Sequence, residues 1–131
     1  MSYKNKGKKD MLEGIEILLT EDQEINQELF VGILEGSGII IDIAFNGKEA
    51  VEKSRKKPYS LIVMDIEMPI MNGYEASKII RTENSEIPII ALTSNNSRQD
   101  ILKTKEIGMN EHLSKPIEAK ILYETFSKYI K

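Results

Sequence analysis

The stretch LIVMDIEMPIMNG, from Leu61 to Gly73, decides the fold predicted for this chain. Its first four residues are apolar, the fifth is Asp65, and Pro69 and Asn72-Gly73 are turn residues. An apolar run of this length, bounded by turn residues, predicts a strand buried on both faces. The carboxylate of Asp65 is therefore expected at the end of a buried strand, where it reaches a surface rather than the core.

Short apolar runs along the chain predict four more strands of the same sheet. From Ile15 onward they alternate with longer segments of helical spacing, the pattern of parallel strands joined by helical crossovers. The five predicted strands are Ile15 to Leu19, Ile39 to Ala44, Leu61 to Met64, Ile87 to Leu92 and Glu111 to Ser114. The expected fold class is α/β, a doubly wound five-stranded parallel sheet with helices on both faces.

Apolar residues at helical spacing lie between the strands and mark the apolar faces expected of five helices. The first such face consists of Ile25, Leu29, Ile33 and Leu34. The others are Ala50 with Val51, Tyr74 with Ile79 and Ile80, Ile101 with Leu102 and Ile107, and Ile121 with Leu122, Phe126 and Ile130. Gly36-Ser37-Gly38 and Gly108 lie where helices are expected to end.

Length and composition predict one globular domain. The chain has 131 residues, a formal net charge of −3, 40% hydrophobic residues and no cysteine. No run approaches the roughly 18 apolar residues of a membrane-spanning helix, so we expect a cytoplasmic protein without membrane contact. The mild acidity offers no basic footprint for nucleic acid, and the lack of cysteine excludes disulfides and thiolate chemistry. Residues 1–13 are expected to form a disordered basic arm, which leaves residues 14–131 as the domain.

Polar and charged residues follow four of the five predicted strands. Thr20-Glu21-Asp22 follows the first strand, Asp65 the third, Thr93-Ser94 the fourth and Lys115-Pro116 the fifth. In open sheets of this kind, functional groups gather in the crevice beyond the carboxyl ends of the strands. We therefore expect these side chains to meet at one edge of the sheet.

Three carboxylates in one crevice, those of Glu21, Asp22 and Asp65, require neutralisation. At about 4 Å and an effective dielectric constant near 20, each like-charged pair costs about 4 kcal/mol. Either the pKa values of the carboxyl groups rise or a divalent cation binds among them, and ligands that are all oxygen favour Mg²⁺ over Zn²⁺. Taken singly, Glu21 and Asp22 suit the start of a helix near Glu24, and Asp65 suits a turn. Their convergence with a hydroxyl and an ammonium group favours a functional site.

This set of groups suits phosphoryl transfer to a carboxylate. A carboxylate can attack phosphorus when Mg²⁺ and a second cation screen the incoming phosphoryl charge. Asp65 is the candidate nucleophile, Lys115 the cation, and the hydroxyl of Thr93 a donor to a phosphoryl oxygen. A lysine is more often a solvated surface residue, but Pro116 restricts the backbone of Lys115, and its loop position favours a role in the site.

Four segments give the chain a specific resemblance to a known family. They are ILLTEDQEINQEL, LIVMDIEMPIMNGYEA, PIIALTSN and GMNEHLSKPI, and the resemblance covers roughly Gly14 to Lys131. Together they resemble the receiver domain of two-component response regulators, a family that includes the chemotaxis regulators. The sequences ALTSN and LSKPI are most similar to receivers of hybrid sensor histidine kinases. The resemblance implies a flavodoxin-like strand order 2-1-3-4-5. It also implies a phosphoacceptor domain that takes a phosphoryl group from a histidine kinase or a histidine phosphotransfer protein.

The same resemblance implies a role for each matching residue. Asp65 is the expected phosphoacceptor, Thr93 the switch hydroxyl that moves toward the phosphoryl group, and Lys115 the lysine that pairs with phosphate and often precedes a cis proline. Mg²⁺ is the expected cofactor, with Mn²⁺ as the alternative. Its expected ligands are Asp22 and Asp65 directly, Glu21 through a water molecule, and the backbone carbonyl of Glu67. Phosphorylation and dephosphorylation of Asp65, both catalysed by the domain itself, are the only reactions implied.

One position departs from the family pattern. The family usually has Tyr or Phe where this chain has His112, its single histidine. His112 is either a solvated residue at the rim or a substitute for that switch aromatic. In the second case we expect activation to weaken below about pH 6, because burying an imidazolium ion costs desolvation energy. Glu67 and Asn95 lie at positions that adjust the lifetime of the phosphoryl group, in a direction that the sequence leaves open.

Other functions fit the residues less well. An aspartyl phosphohydrolase would have a second aspartate where this chain has Glu67. A flavin or nucleotide site needs a glycine- or hydroxyl-rich loop after the first strand, where Glu21 and Asp22 would repel phosphate. An interaction module that binds without phosphorylation is the serious rival, but it would be expected to have lost an acid or the lysine. The donor, the output, and the choice between a standalone receiver and a part of a hybrid kinase stay open.

Overall fold

The computed structural model describes residues 12–130, which form a parallel five-stranded sheet with helices on both faces. The strands are β1 (Glu16–Thr20), β2 (Ile40–Ala44), β3 (Leu61–Asp65), β4 (Ile89–Thr93) and β5 (Glu111–Ser114). The helices are α1 (Glu24–Ile33), α2 (Gly47–Lys56), α3 (Gly73–Glu83), α4 (Arg98–Ile107) and α5 (Ala119–Tyr129). The strand order is β2-β1-β3-β4-β5. The predicted fold class and strand order are confirmed.

Apolar side chains on the two faces of the sheet form two cores. On one face Leu18 packs with residues of α2 and α3. On the other face Ile17 packs with α1 and α5, whose rings Phe30 and Phe126 have centroids 6.4 Å apart. Successive residues of a strand point to opposite faces, so an unbroken apolar run fills both cores, and each fully buried aliphatic side chain contributes about 1.5–3 kcal/mol. All residues of β3 are buried, which holds Asp65 at the centre of the sheet edge.

The strand ends differ from the predicted ends by one or two residues. β1 begins one residue later than predicted and β4 two residues later. Asp65 and Thr93 are the last residues of β3 and β4, not the residues after them, because Asp65 is aligned with Leu92 and Thr93 with Ser114. Both side chains are therefore held by the backbone of the sheet, which is more rigid than a loop.

The predicted apolar face of α1 is wrong in part. Ile25 and Leu29 are 60% and 58% exposed, whereas Phe30 is buried. The buried side of the helix also includes Gln27, whose amide donates to the backbone carbonyl of Glu21 at 2.7 Å and so needs no water. α1 therefore presents apolar side chains to solvent near the carboxyl ends of the strands.

The predicted apolar face of helix α4 is also wrong in part, whereas the helix ends where it was expected to end. Ile101 and Leu102 are exposed, and Thr104 is buried instead. The helix stops at Gly108, which has a φ of 101°, a left-handed conformation that glycine adopts at little cost. A capping box of Ser97 and Asp100 defines the other end.

The expected arm lies mostly outside the described part of the chain, which excludes residues 1–11. Leu12 is buried in the core, and the N–H of Gly14 donates to the carbonyl of Gly38 at 3.0 Å. The described chain is thus already packed onto the domain at Leu12. Across residues 12–130, none of the helices has the length and apolar character needed to cross a membrane.

Candidate functional site

The carboxylates of Glu21, Asp22 and Asp65 meet at the carboxyl ends of β1 and β3. These strands are neighbours, with Thr20 aligned with Met64, so the residues at their ends are brought together. Each carboxylate presents one oxygen atom, and the three oxygens lie within 4.8 Å of one another. The structure therefore brings together the three acids that the sequence placed at this edge.

Lys115, in the connection between β5 and α5, faces the same carboxylates. Its Nζ lies 3.0 Å from Oδ1 of Asp65 and 3.4 Å from Oε1 of Glu21. The backbone N–H of Lys115 donates to the carbonyl of Thr93 at 3.0 Å, and the Lys115-Pro116 peptide bond is cis. Asp65 and Glu21 are each 1% exposed, so the ion pairs form where water screens them little.

The environment of Asp65 changes its protonation. Burial raises its pKa to about 7, against the opposing effect of the ion pair with Lys115, and the negative charge of Glu21 raises it further. For Lys115, burial alone lowers the pKa, but the pairing with Asp65 and Glu21 outweighs burial, and the net direction is upward. The site therefore sets a charged ammonium group against a carboxyl group that titrates near neutral pH.

The acidic cluster suits a hard divalent cation. Glu21 Oε1 and Asp65 Oδ1 are buried and, apart from the ion pairs with Lys115, accept no hydrogen bond within residues 12–130. One ammonium group opposes three carboxyl groups, which leaves negative charge to neutralise. All the donor atoms are oxygen, the ligand type that Mg²⁺ takes in proteins. The expectation of an acidic cluster that fits Mg²⁺ is met.

Glu21 also contributes to the start of α1. Its Oε2 accepts hydrogen bonds from the backbone N–H of Gln23 at 3.1 Å and from the side chain of Asn26 at 3.4 Å. Its Oε1 is the atom that faces Lys115. The contacts with the start of α1 and the contact with Lys115 therefore involve different oxygens of one carboxylate.

The loop between β3 and α3 folds back against the end of β3. The N–H of Gly73 donates to the carbonyl of Ile66 at 2.9 Å, and a Cβ at position 73 would overlap the backbone oxygen of Asp65. A capping box of Asn72 and Glu75 then starts α3. Glycine is required at position 73 because the backbone passes so close to the strand.

The hydroxyl of Thr93 is bound to the side chain of Glu67. Thr93 is buried, and its Oγ1 donates to the Glu67 carboxylate, whose oxygens lie 2.8 and 3.1 Å away. The backbone N–H of Asn95 donates to Thr93 Oγ1 at 3.0 Å, and the side-chain amide of Asn95 donates to Glu67 Oε2 at 3.0 Å. Sequence reasoning assigned only a backbone carbonyl and an influence on phosphoryl lifetime to Glu67. It missed this contact, since no periodic pattern relates side chains 26 positions apart.

His112 is partly buried on β5 and contacts the loop after β4. Its Nε2 lies 2.9 Å from Oδ1 of Asn96, a residue that sequence reasoning did not single out. Its Nδ1 is buried and has no partner within the described residues. The ring therefore lies in contact with the loop after β4, and the choice between a rim residue and a switch residue stays a prediction.

Comparison with known proteins identifies relatives of this chain. Residues 17–127 match the family model described as the response regulator receiver domain. Hybrid signal transduction histidine kinase B of Dictyostelium discoideum is 40% identical in an alignment 128 positions long, and 87% of this chain is covered. The match spans 6% of the length of that protein and 7% of the related hybrid kinase I, so the chain corresponds to a small part of each.

Two solved structures share the fold at substantial identity. One is the receiver domain of Ssk1 from Saccharomyces cerevisiae, co-crystallised with the histidine phosphotransfer protein Ypd1. It has a TM-score of 0.84 and 30% identity, covering 91% of this chain and 90% of that one. The other is the receiver domain of the sensor histidine kinase PA1611 from Pseudomonas aeruginosa, which contains a magnesium ion in its active-site cleft. It has a TM-score of 0.83 and 34% identity, covering 89% of this chain and 98% of that one.

Proposed function

The chain belongs to the response regulator receiver domain family of two-component and phosphorelay signalling, and from this membership we propose that Asp65 accepts a phosphoryl group from a phosphohistidine. The observation that carries the proposal is the buried carboxylate of Asp65 in an acidic cluster, 3.0 Å from the ammonium group of Lys115. An oxygen of Asp65 attacks phosphorus and forms a P–O bond. The P–N bond to the donor histidine breaks, and the imidazole leaves with the electron pair.

The side chains around Asp65 supply the compensating charge and hydrogen bonds. Lys115 neutralises a phosphoryl oxygen, and the hydroxyl of Thr93 donates to another once it has left Glu67. The residues that would hold Mg²⁺, or Mn²⁺ in its place, are Asp22, Asp65, Glu21 through a water molecule, and the backbone carbonyl of Glu67. Bound there, the ion would supply positive charge to oxygens of the incoming phosphoryl group.

The exposed side of α1 suits the protein that delivers the phosphoryl group. Ile25 and Leu29 are exposed, and a groove of about 190 Å³ beside them is lined by Leu29 and Pro116 and reaches Glu21 and Lys115. A donor protein that presents its phosphohistidine to the crevice would cover Ile25, Leu29 and the groove beside them. We assign the surface to a histidine phosphotransfer protein, the class of partner that binds the yeast relative, with a histidine kinase as the alternative donor.

Substitution of Leu29 tests this surface. Leu29→Asp is expected to slow phosphoryl transfer from a histidine phosphotransfer protein by at least about tenfold, since a charge in an apolar contact costs more than 1.4 kcal/mol. Transfer from acetyl phosphate should be unchanged. Leu102→Asp on α4 is a matched control, because Leu102 is 53% exposed and Leu29 58%. Equal slowing by both variants, or slowing with acetyl phosphate, would contradict the assignment.

The setting of the domain follows from its relatives. Several relatives are hybrid histidine kinases that this chain matches over a small part of their length. We infer that the domain works in the cytoplasm as one step of a phosphorelay, either inside a hybrid kinase or as a standalone receiver. Its own chemistry is then limited to phosphorylation and dephosphorylation of Asp65.

The phosphoacceptor role is tested with acetyl phosphate and Mg²⁺. Intact-mass measurement should show one added phosphoryl group, lost in acid or base as an acyl phosphate is, and no addition with EDTA. Asp65→Asn should abolish it, whereas Glu106→Gln, which removes an exposed acid from α4, should not. Failure of the wild-type protein to form the adduct would favour a module that signals by binding alone. An adduct that persists in Asp65→Asn would place the acceptor elsewhere.

A further inference from the structure

The switch hydroxyl is already occupied in this structure. A threonine hydroxyl has one proton to donate, and that of Thr93 points to the carboxylate of Glu67 at 2.8 Å. Two donations from Asn95, one to Thr93 Oγ1 and one to Glu67 Oε2, close the arrangement at 3.0 Å each. Thr93 therefore cannot donate to a phosphoryl oxygen while this hydrogen bond is made.

We propose that the Glu67 carboxylate is a latch, which holds the Thr93 hydroxyl in the unphosphorylated domain and must release it before Thr93 can bind the phosphoryl group. The inference rests on the proposed function, because it needs a phosphoryl group on Asp65. Glu67 thereby acts as a positioning residue through Thr93, in addition to the ligand role proposed for its backbone carbonyl.

The latch works because a carboxylate and a phosphoryl group are both hydrogen-bond acceptors for the Thr93 hydroxyl. Both present anionic oxygens that accept a charge-assisted hydrogen bond. The two acceptors compete for one proton, so whatever stabilises the bond to Glu67 weakens the phosphorylated conformation by the same factor. Removing the Glu67 acceptor should therefore favour the phosphorylated conformation.

Phosphorylation itself supplies the force that opens the latch. Converting the Asp65 carboxylate to an acyl phosphate adds about one unit of negative charge beside Glu67. Thr93 is buried at the end of β4, whereas Glu67 is exposed. The carboxylate can swing into water at little desolvation cost, while the hydroxyl stays near the crevice. Repulsion therefore moves Glu67 and leaves Thr93 free to turn.

The experiment is a double-mutant cycle on the affinity for beryllofluoride in the presence of Mg²⁺. Its four proteins are the wild type, Glu67→Ala, Thr93→Val and the double variant. Glu67→Ala removes both a negative charge and the latch, whereas in the Thr93→Val background it removes only the charge. A hydrogen bond to a charged group corresponds to about tenfold or more in an equilibrium constant. We therefore expect Glu67→Ala to tighten beryllofluoride binding at least about tenfold more in the wild-type background than in the Thr93→Val background.

Two further variants sharpen the result. Glu67→Gln keeps an acceptor oxygen, so it should tighten beryllofluoride binding less than Glu67→Ala does. Asn95→Ala removes one donor to the Glu67 carboxylate, and it should also tighten beryllofluoride binding, by less than Glu67→Ala.

The outcomes separate the latch from the proposed function. Equal tightening by Glu67→Ala in both backgrounds, or weaker binding, would show that Glu67 acts through its charge or as a structural support, and the latch would be overturned. If the wild-type protein binds no beryllofluoride at all, the proposed function fails, and the latch fails with it.

Discussion

Replacement of Asp65 by Asn is expected to stabilise the metal-free domain, and to do so more as the pH rises. Burial raises the pKa of Asp65 to about 7, from an ordinary value of 3.8. Between these two values the folded protein binds more protons than the unfolded chain at this residue. Rising pH therefore lowers the free energy of unfolding of the wild type by up to about 1.4 kcal/mol per pH unit, and the loss is complete above pH 7.

The size of the stabilisation follows from the difference between the two pKa values of Asp65 and from the ion pair with Lys115. Ionising Asp65 in the folded state costs at most about 4 kcal/mol relative to the unfolded chain. Asn removes this cost but leaves Lys115 with Glu21 at 3.4 Å as its ion-pair partner in the cluster. Part of the gain is therefore returned, since a buried cation with fewer partners is destabilising. We expect a net stabilisation of about 2 kcal/mol at pH 8 and close to zero at pH 4.

Urea unfolding of the wild type and Asp65→Asn in EDTA, from pH 4 to pH 8, measures the difference directly. Subtracting the two curves of unfolding free energy against pH cancels the contributions of the other carboxyl groups, which are common to both proteins. Glu106→Gln controls for the loss of one negative charge, and its difference from the wild type should be small at every pH. Saturating Mg²⁺ should stabilise the wild type strongly and Asp65→Asn only weakly, because the ion binds the folded state. A difference that does not change between pH 5 and pH 8 would refute the reasoning.

Three further predictions concern single residues of the site. Gly73→Ala should destabilise the domain by about 3 kcal/mol in urea unfolding, because a Cβ there overlaps the backbone oxygen of Asp65. Gly32→Ala, in the last turn of α1 with open space around it, should instead stabilise by up to about 1 kcal/mol, and destabilisation by both would point to a general intolerance of alanine. Lys115→Met should slow phosphorylation by acetyl phosphate about 100-fold, as expected for a lost charge donor, and an unchanged rate would remove Lys115 from the chemistry. For His112, the phosphorylated protein should bind its partner more weakly when the imidazole is protonated, and His112→Phe should remove this dependence on pH, whereas a flat wild-type profile from pH 5.5 to pH 8 would assign the residue to the rim.

Local pattern was sufficient to predict the strands and the fold class, whereas the strand order was implied only by the family resemblance. Strands β1 to β4 are short, mainly apolar runs whose successive side chains point to opposite faces, and that information lies within five residues. The carboxyl ends of parallel strands share an edge, so the same pattern places Asp65, Thr93 and Lys115 together without any knowledge of distances. The ends of strands could not be predicted to the residue, because pairing with neighbouring strands extends β3 and β4 through Asp65 and Thr93.

Tertiary structure decided which groups actually touch. Leu29 and Phe30 are adjacent and both apolar, yet only the packing of α1 on the sheet determines that Phe30 is buried and Leu29 exposed. The bond from Thr93 to Glu67 likewise depends on how two loops fold back over one strand end. Hydrophobic pattern is a property of neighbouring residues, whereas a hydrogen bond between distant side chains depends on distances of a few tenths of an ångström that only the packed domain sets.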